Sequence, residues 1–151
     1  MSGELIVLAV VAAVAASVLG TIGRRLQQLR YQLHPLTPGE VAGFQQRLDG
    51  LEAVYQLSPN QALNSGKRLV DEMLTAIGLP QRETDKRRLR DLKIVDSRCY
   101  RAYRDAIKTR KSSNRDDMHK TLEYYEAISK LLLDKASPRP LMEEDQPAAR
   151  V

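Results

Sequence analysis

Apolar positions recur through the middle of this chain at alternating spacings of three and four, and at its front they form an unbroken run. Val41, Phe44, Leu48, Leu51 and Tyr55 mark one seam, the pattern of a helix packed along one side. Thr37-Pro38-Gly39-Glu40 supplies its start, with an N-cap hydroxyl, proline in the first turn and glutamate at the capping-box position. Gly43 and Gly50 weaken this helix locally and leave room for a close approach. Ser58-Pro59 opens a second helix with the stripe Ala62, Leu69, Val70, Met73 and Ile77. Gly78 then provides a left-handed C-cap and Pro80 blocks continuation.

A third helix is expected over 83–92, and a fourth from after Asp96 to about Lys111 with Cys99, Tyr103, Ala106 and Ile107 inward. Ser112-Ser113-Asn114 breaks the chain. A last helix then carries Met118, Leu122, Tyr125, Ile128 and Leu132 inward until Pro138. No segment sustains period-two alternation, and no Asn-Gly or Asp-Gly hairpin signal occurs. The expected fold is all-α: an N-terminal transmembrane helix followed by a small antiparallel bundle of about five helices.

The transmembrane reading rests on residues 5–22, about 18 residues without a charge, which as a helix span roughly 27 Å, close to the hydrocarbon thickness of a bilayer. A cleaved signal peptide wants basic residues before its apolar stretch. Here Glu4 precedes the run, and Arg24, Arg25 and Arg30 follow it. A buried core helix rarely runs this long without one polar position. Lys and Arg next to a span stay on the cytoplasmic side, so the N-terminus is expected outside and the remainder in the cytoplasm of a single-pass plasma-membrane protein. Arg24, Arg25 and Arg30 would meet anionic headgroups. Ala12, Ala16 and Gly20, four apart, are a candidate stripe for packing a second copy's membrane helix. The general abundance of alanine in the run is the plainer explanation and ranks ahead.

Four stretches follow: an anchor with its juxtamembrane helix over 1–33, a linker over 34–40, the bundle over 41–136, and an acidic, proline-containing disordered tail over 137–151. A single cysteine, Cys99, excludes an internal disulfide and fits a reducing compartment. It reads as a structural thiol, since no second cysteine or nearby histidine activates it. His34 and His119 are far apart and lack ligand-spaced partners, so neither metal nor cofactor is expected.

Charge is uneven. Residues 82–111 carry 12 Lys or Arg against 5 Asp or Glu, while the whole chain is only +5. On the fourth helix Arg101, Arg104, Lys108 and Lys111 share one face bordered by Arg98, and they form the candidate anion- or partner-binding face. A solvated face, partly neutralised by Asp105 one turn from Arg101 and Lys108, is the first reading. A contact with anionic lipid or an acidic protein comes second. Nonspecific nucleic-acid binding comes third, because no DNA-binding motif accompanies the charge.

No Walker loop, GxGxxG, GxSxG, HExxH or CxxC is present. The paired acids Asp71-Glu72 and Asp116-Asp117 fit polar helix faces and helix starts better than acid–base work. No catalytic residue is expected, and the chain reads as a non-enzymatic module.

Ser58-Pro59, Leu69-Val70-Asp71-Glu72-Met73, Gly78-Leu79-Pro80, Asp91-Leu92, Tyr103-Arg104 and Tyr124-Tyr125 follow one another in a recognisable order. In that order, over roughly 41–133, the chain resembles a family of uncharacterised single-pass membrane proteins common in actinobacteria. It departs at Lys93-Ile94-Val95-Asp96-Ser97, where the family pattern more often has a histidine and a proline. The resemblance implies a helical module on an anchor and no catalytic residues. Within the Tyr103-Arg104 pair, Tyr103 is expected in the core with Arg104 snorkelling to the surface. Together these features lead to the expectation of a cytoplasmic scaffold that recruits another protein at the inner face of the membrane. The alternative is a membrane-attached nucleic-acid binder using the 82–111 face.

Overall fold

The computed structural model describes residues 33–137. The 5–22 run, the stripe Ala12, Ala16 and Gly20, and the arginines Arg24, Arg25 and Arg30 lie outside the described residues, as does the chain after Ser137. Among the described residues no helix is long and apolar enough to cross a membrane.

Those residues form six α-helices and no strand: α1 (Pro38–Asp49), α2 (Leu51–Leu57), α3 (Pro59–Ala76), α4 (Asp85–Val95), α5 (Ser97–Thr109) and α6 (Arg115–Ala136). The architecture is an all-α bundle. The predicted first helix is two segments broken at Gly50, yet its seam persists. Leu48, Leu51 and Tyr55 are buried, with Val41 and Phe44 half-buried beside them.

Local chemistry sets most helix ends. Thr37 and Glu40 form a reciprocal capping box before α1, the Thr37 amide donating to Glu40 Oε2 at 2.8 Å. α3 ends at Gly78, whose φ is 101°, with the Gly78 amide donating to the Thr75 carbonyl and the Leu79 amide to the Leu74 carbonyl. This doubly bonded turn is the Schellman arrangement, and Leu79 seals it by burial. Asp96 caps α5 through the Arg98 amide at 2.7 Å, and Asn114 caps α6 through the Asp116 amide at 3.0 Å. α4 starts two residues later than predicted and runs three further, because Thr84 is its N-cap and Val95 belongs to the core.

α6 is the central element, packed along both α3 and α5. Its close approach to α3 occurs at Gly66, where a Cβ would lie 3.3 Å from the Tyr125 side chain. Gly43, where such an approach was expected, has nothing within 4 Å of that position. α5 and α6 run antiparallel, joined by a Thr109–Thr121 hydroxyl pair at 2.7 Å near one end and by Lys135 Nζ donating to the Val95 carbonyl at 2.6 Å near the other. α2 and α3 are also antiparallel. α3 and α6, however, run in the same sense, since Tyr55 just before α3 bonds the Arg115 carbonyl at the start of α6, and Gly66 meets Tyr125 farther along.

The segment leading into α1 is docked although it has no regular secondary structure. The His34 amide donates to the Ile77 carbonyl at 3.1 Å and the Leu36 amide to the Ala136 carbonyl at 3.0 Å, and Leu36 is buried. The chain thus enters where α3 and α6 finish. We call this the entry end of the bundle.

Candidate functional site

α5 buries Cys99, Tyr103 and Ala106 on one side and turns its cations to the other. Arg98, Arg101, Arg104, Lys108 and Lys111 are all exposed. Arg98 is clamped onto the Asp96 carboxylate, with Nε to Oδ1 at 3.2 Å and Nη2 to Oδ2 at 2.9 Å. That clamp, reinforced by the Arg98 amide against the opposing effect of burial, holds the Asp96 carboxyl down at about 2. Arg101 reaches back toward the start of the helix, its Nε 3.5 Å from the Ser97 carbonyl. Asp105 pairs with Arg104 at 3.3 Å and Lys108 at 3.8 Å, and not with Arg101 as the one-turn spacing predicted. Arg104 also lies 6.0 Å above the Tyr100 ring. Tyr103 fills the core at 1 % exposure, while Arg104 stays at the surface.

A second basic stripe adjoins this face. Lys86, Arg90 and Lys93 occupy one exposed side of α4 at spacings of four and three, with Arg87 beside them. They form no ion pair with the described residues. Sequence reading counted these charges in the 82–111 surplus without placing them; their helical spacing was the available signal.

Other cations of the surplus are internal. Arg88 is 2 % exposed and Asp91 1 %. Arg88 Nε donates to Asp71 Oδ1 at 3.0 Å and its Nη1 to the Pro80 carbonyl at 3.2 Å. Arg82 forks onto Asp91, Nε to Oδ2 at 2.7 Å and Nη2 to Oδ1 at 3.1 Å. Asp71 also takes Lys67 at 3.2 Å, so it is a half-buried hub between α3 and α4 and not a member of a polar face. Its neighbour Glu72 is the surface member of the pair, bonded to Arg47 and Arg68.

A related knot joins the start of α4 to the end of α5. Asp85 accepts from Arg110 Nη2 at 2.7 Å and from Tyr103 Oη at 3.0 Å. Burial raises the Asp85 carboxyl, but these two donors outweigh it and hold the group below its ordinary range. Burial also drives Tyr103 upward, with Asp71 and Asp85 adding to the effect, so its hydroxyl remains a donor.

A cleft of about 580 Å³ lies over the first of these networks, lined by Arg68, Asp71, Glu72, Gln81, Arg82 and Arg88 among others. Each guanidinium there already faces a carboxylate, so the arrangement locks α3 to α4 and leaves no cation poised for a ligand. Burial, with Asp96 adding to it, pushes the Cys99 thiol up to about 12, which leaves it protonated and inert. His119 packs edge-on to Tyr55 and lies 3.3 Å from Glu123. Among the described residues no group of three or more His, Cys, Asp or Glu is disposed to hold a metal ion. No family model, curated protein or solved structure matches the chain.

Proposed function

We propose that this chain is a membrane-tethered, cytoplasmic helical module that works without catalysis and recruits an acidic partner protein at the inner face of the membrane. The observation that carries the reading is the outward row Arg101, Arg104 and Lys108 on α5, which ends at Thr109 rather than at the expected Lys111, with Lys111 in the turn after it and Lys86, Arg90 and Lys93 adjoining on α4. Opposed to it stands a buried network whose charges satisfy one another, so the binding potential lies on the surface and not in a cleft. The charge asymmetry about residues 5–22 and the resemblance to single-pass membrane proteins support the tether.

A photocrosslinking residue at position 108 of the full-length chain in native membranes tests this. A discrete protein adduct is expected at 108 and not at exposed position 57, and it should vanish in Arg104→Glu/Lys111→Glu. Identical adduct patterns at the two positions would overturn the reading.

The unpaired α4 stripe favours one second reading, a membrane-attached nucleic-acid binder, since it doubles the cationic surface without adding specificity. Affinity for a duplex that stays constant from about 50 to about 200 mM salt would exclude phosphate contacts.

A further inference from the structure

The basic face is one row in sequence but two sites in space relative to the entry end. A chain of contacts fixes this. The Leu36 amide bonds the Ala136 carbonyl, the neighbouring Lys135 bonds the Val95 carbonyl and lies 3.7 Å from Asp96, and Asp96 holds Arg98. The start of α5 therefore sits beside the point where the chain enters from residue 33. Arg101 folds its guanidinium back onto Ser97 and so belongs to the same end. Lys93 stands two residues before the end of α4, at this same turn. The carboxylates Asp96 and Asp134 lie among these cations. The far end of α5 is distinct: Lys108 stands seven residues beyond Arg101 and ten beyond Arg98, about 10 Å and about 15 Å along the helix. Both exceed the distance of about 8 Å over which charge acts in physiological salt.

We infer that the entry end is the face the bundle turns to the bilayer, and that Lys93, Arg98, Arg101 and Lys135 contact anionic lipid headgroups there, while Lys108 and Lys111 remain outside headgroup range for the protein partner. The inference rests on the tethered reading proposed above. Two properties of the molecule argue for it: the incoming chain reaches the bundle at this end, and the charge found there complements an anionic surface. Asp96 and Asp134 do not cancel the patch, since two carboxylates stand against four cations, Arg98 and Lys135 sharing the first. In the tethered reading the anchor joins the bundle at this end, and each cation within range adds to the docked population by about fivefold.

The full chain in nanodiscs, with a fluorophore on Ser97→Cys or on Ser112→Cys and a quencher on the lipid headgroups, tests this; buried Cys99 stays unlabelled. In discs containing phosphatidylglycerol, the label at 97 is expected to be quenched several-fold more than that at 112. The contrast should fall in phosphatidylcholine alone and at high salt. Arg98→Gln/Arg101→Glu should lower the docked-to-free ratio by about 25-fold or more, whereas Lys108→Glu/Lys111→Glu leaves it unchanged. Equal quenching at 97 and 112 in a chain that resists alkaline extraction overturns the orientation and spares the tether. A contrast that is the same in both lipids overturns the headgroup contact. Release of the chain by alkaline extraction overturns the tether and the inference together.

Discussion

Arg88 of α4 and Asp71 of α3 meet at 3.0 Å, and with Arg88 at 2 % exposure their pairing is a structural joint between two helices. Cations on charged helices ordinarily stay solvated, and this one is held because Asp71, Asp91 and the Pro80 carbonyl surround it.

Removing the cation should therefore be costly. Arg88→Ala leaves Asp71 with Lys67 and Asp91 with Arg82, and opens a hole where the buried guanidinium joined the two helices, so a loss of ~3 kcal/mol in unfolding free energy is expected. Urea denaturation followed by circular dichroism measures it. A loss under ~1 kcal/mol would mean that water replaces the guanidinium easily.

The glycines give a paired test with opposite signs. Gly43→Ala places its methyl in open space on a helix and should stabilise by ~0.5–1 kcal/mol. Gly66→Ala drives a methyl to 3.3 Å from Tyr125 Cβ, an atom fixed to the α6 backbone. Overpacking should then exceed the gain in helix propensity and destabilise by ~1–2 kcal/mol. Thermal melts of the two variants should move in opposite directions.

The Asp96 carboxyl, held at about 2 by Arg98, makes stability depend on acid pH. A carboxyl lowered by folding contributes fully above its unfolded value near 3.8, and that contribution fades as the pH drops from about 4 to about 2. Arg98→Gln removes the main cause while leaving the backbone cap in place. Its stability should be flatter than wild type across that window in melts recorded at stepped pH. Identical slopes would rule out the clamp as the source.

Cys99 should be silent toward thiol reagents in the folded protein at pH 8 and react fully once denatured, because burial keeps its proton on. Prompt labelling under native conditions would show that the α5 core opens readily.

What the sequence made legible was local. Thr37 and Glu40, Gly78, Asp96 and Asn114 mark helix ends through chemistry acting within a few residues, and each sits where such chemistry requires. The apolar stripes likewise identified the buried sides of α3, α5 and α6. Asp85-Lys86-Arg87-Arg88 reads as a solvated charge run because the partner that buries Arg88 lies 17 residues away on another helix. A signal existed, since Arg88, Asp91, Leu92 and Val95 repeat at helical spacing, which sets two opposite charges on the inward stripe. Gly66 escaped notice for the same reason: its role depends on Tyr125, a contact made only when α6 returns beside α3. The split of the basic face between two ends is tertiary as well, since helical spacing alone says nothing of where residue 33 joins.

The docking of His34 and Leu36 against Ile77 and Ala136 has a practical corollary. The bundle starts and stops at one spot, with its first anchored residues beside the last turn of its final helix. A unit so closed can be lifted out and spliced into a loop of an unrelated host through two short joints, without pulling its termini apart. Such a graft would carry α5 and its cations to any chosen surface as a self-contained cassette.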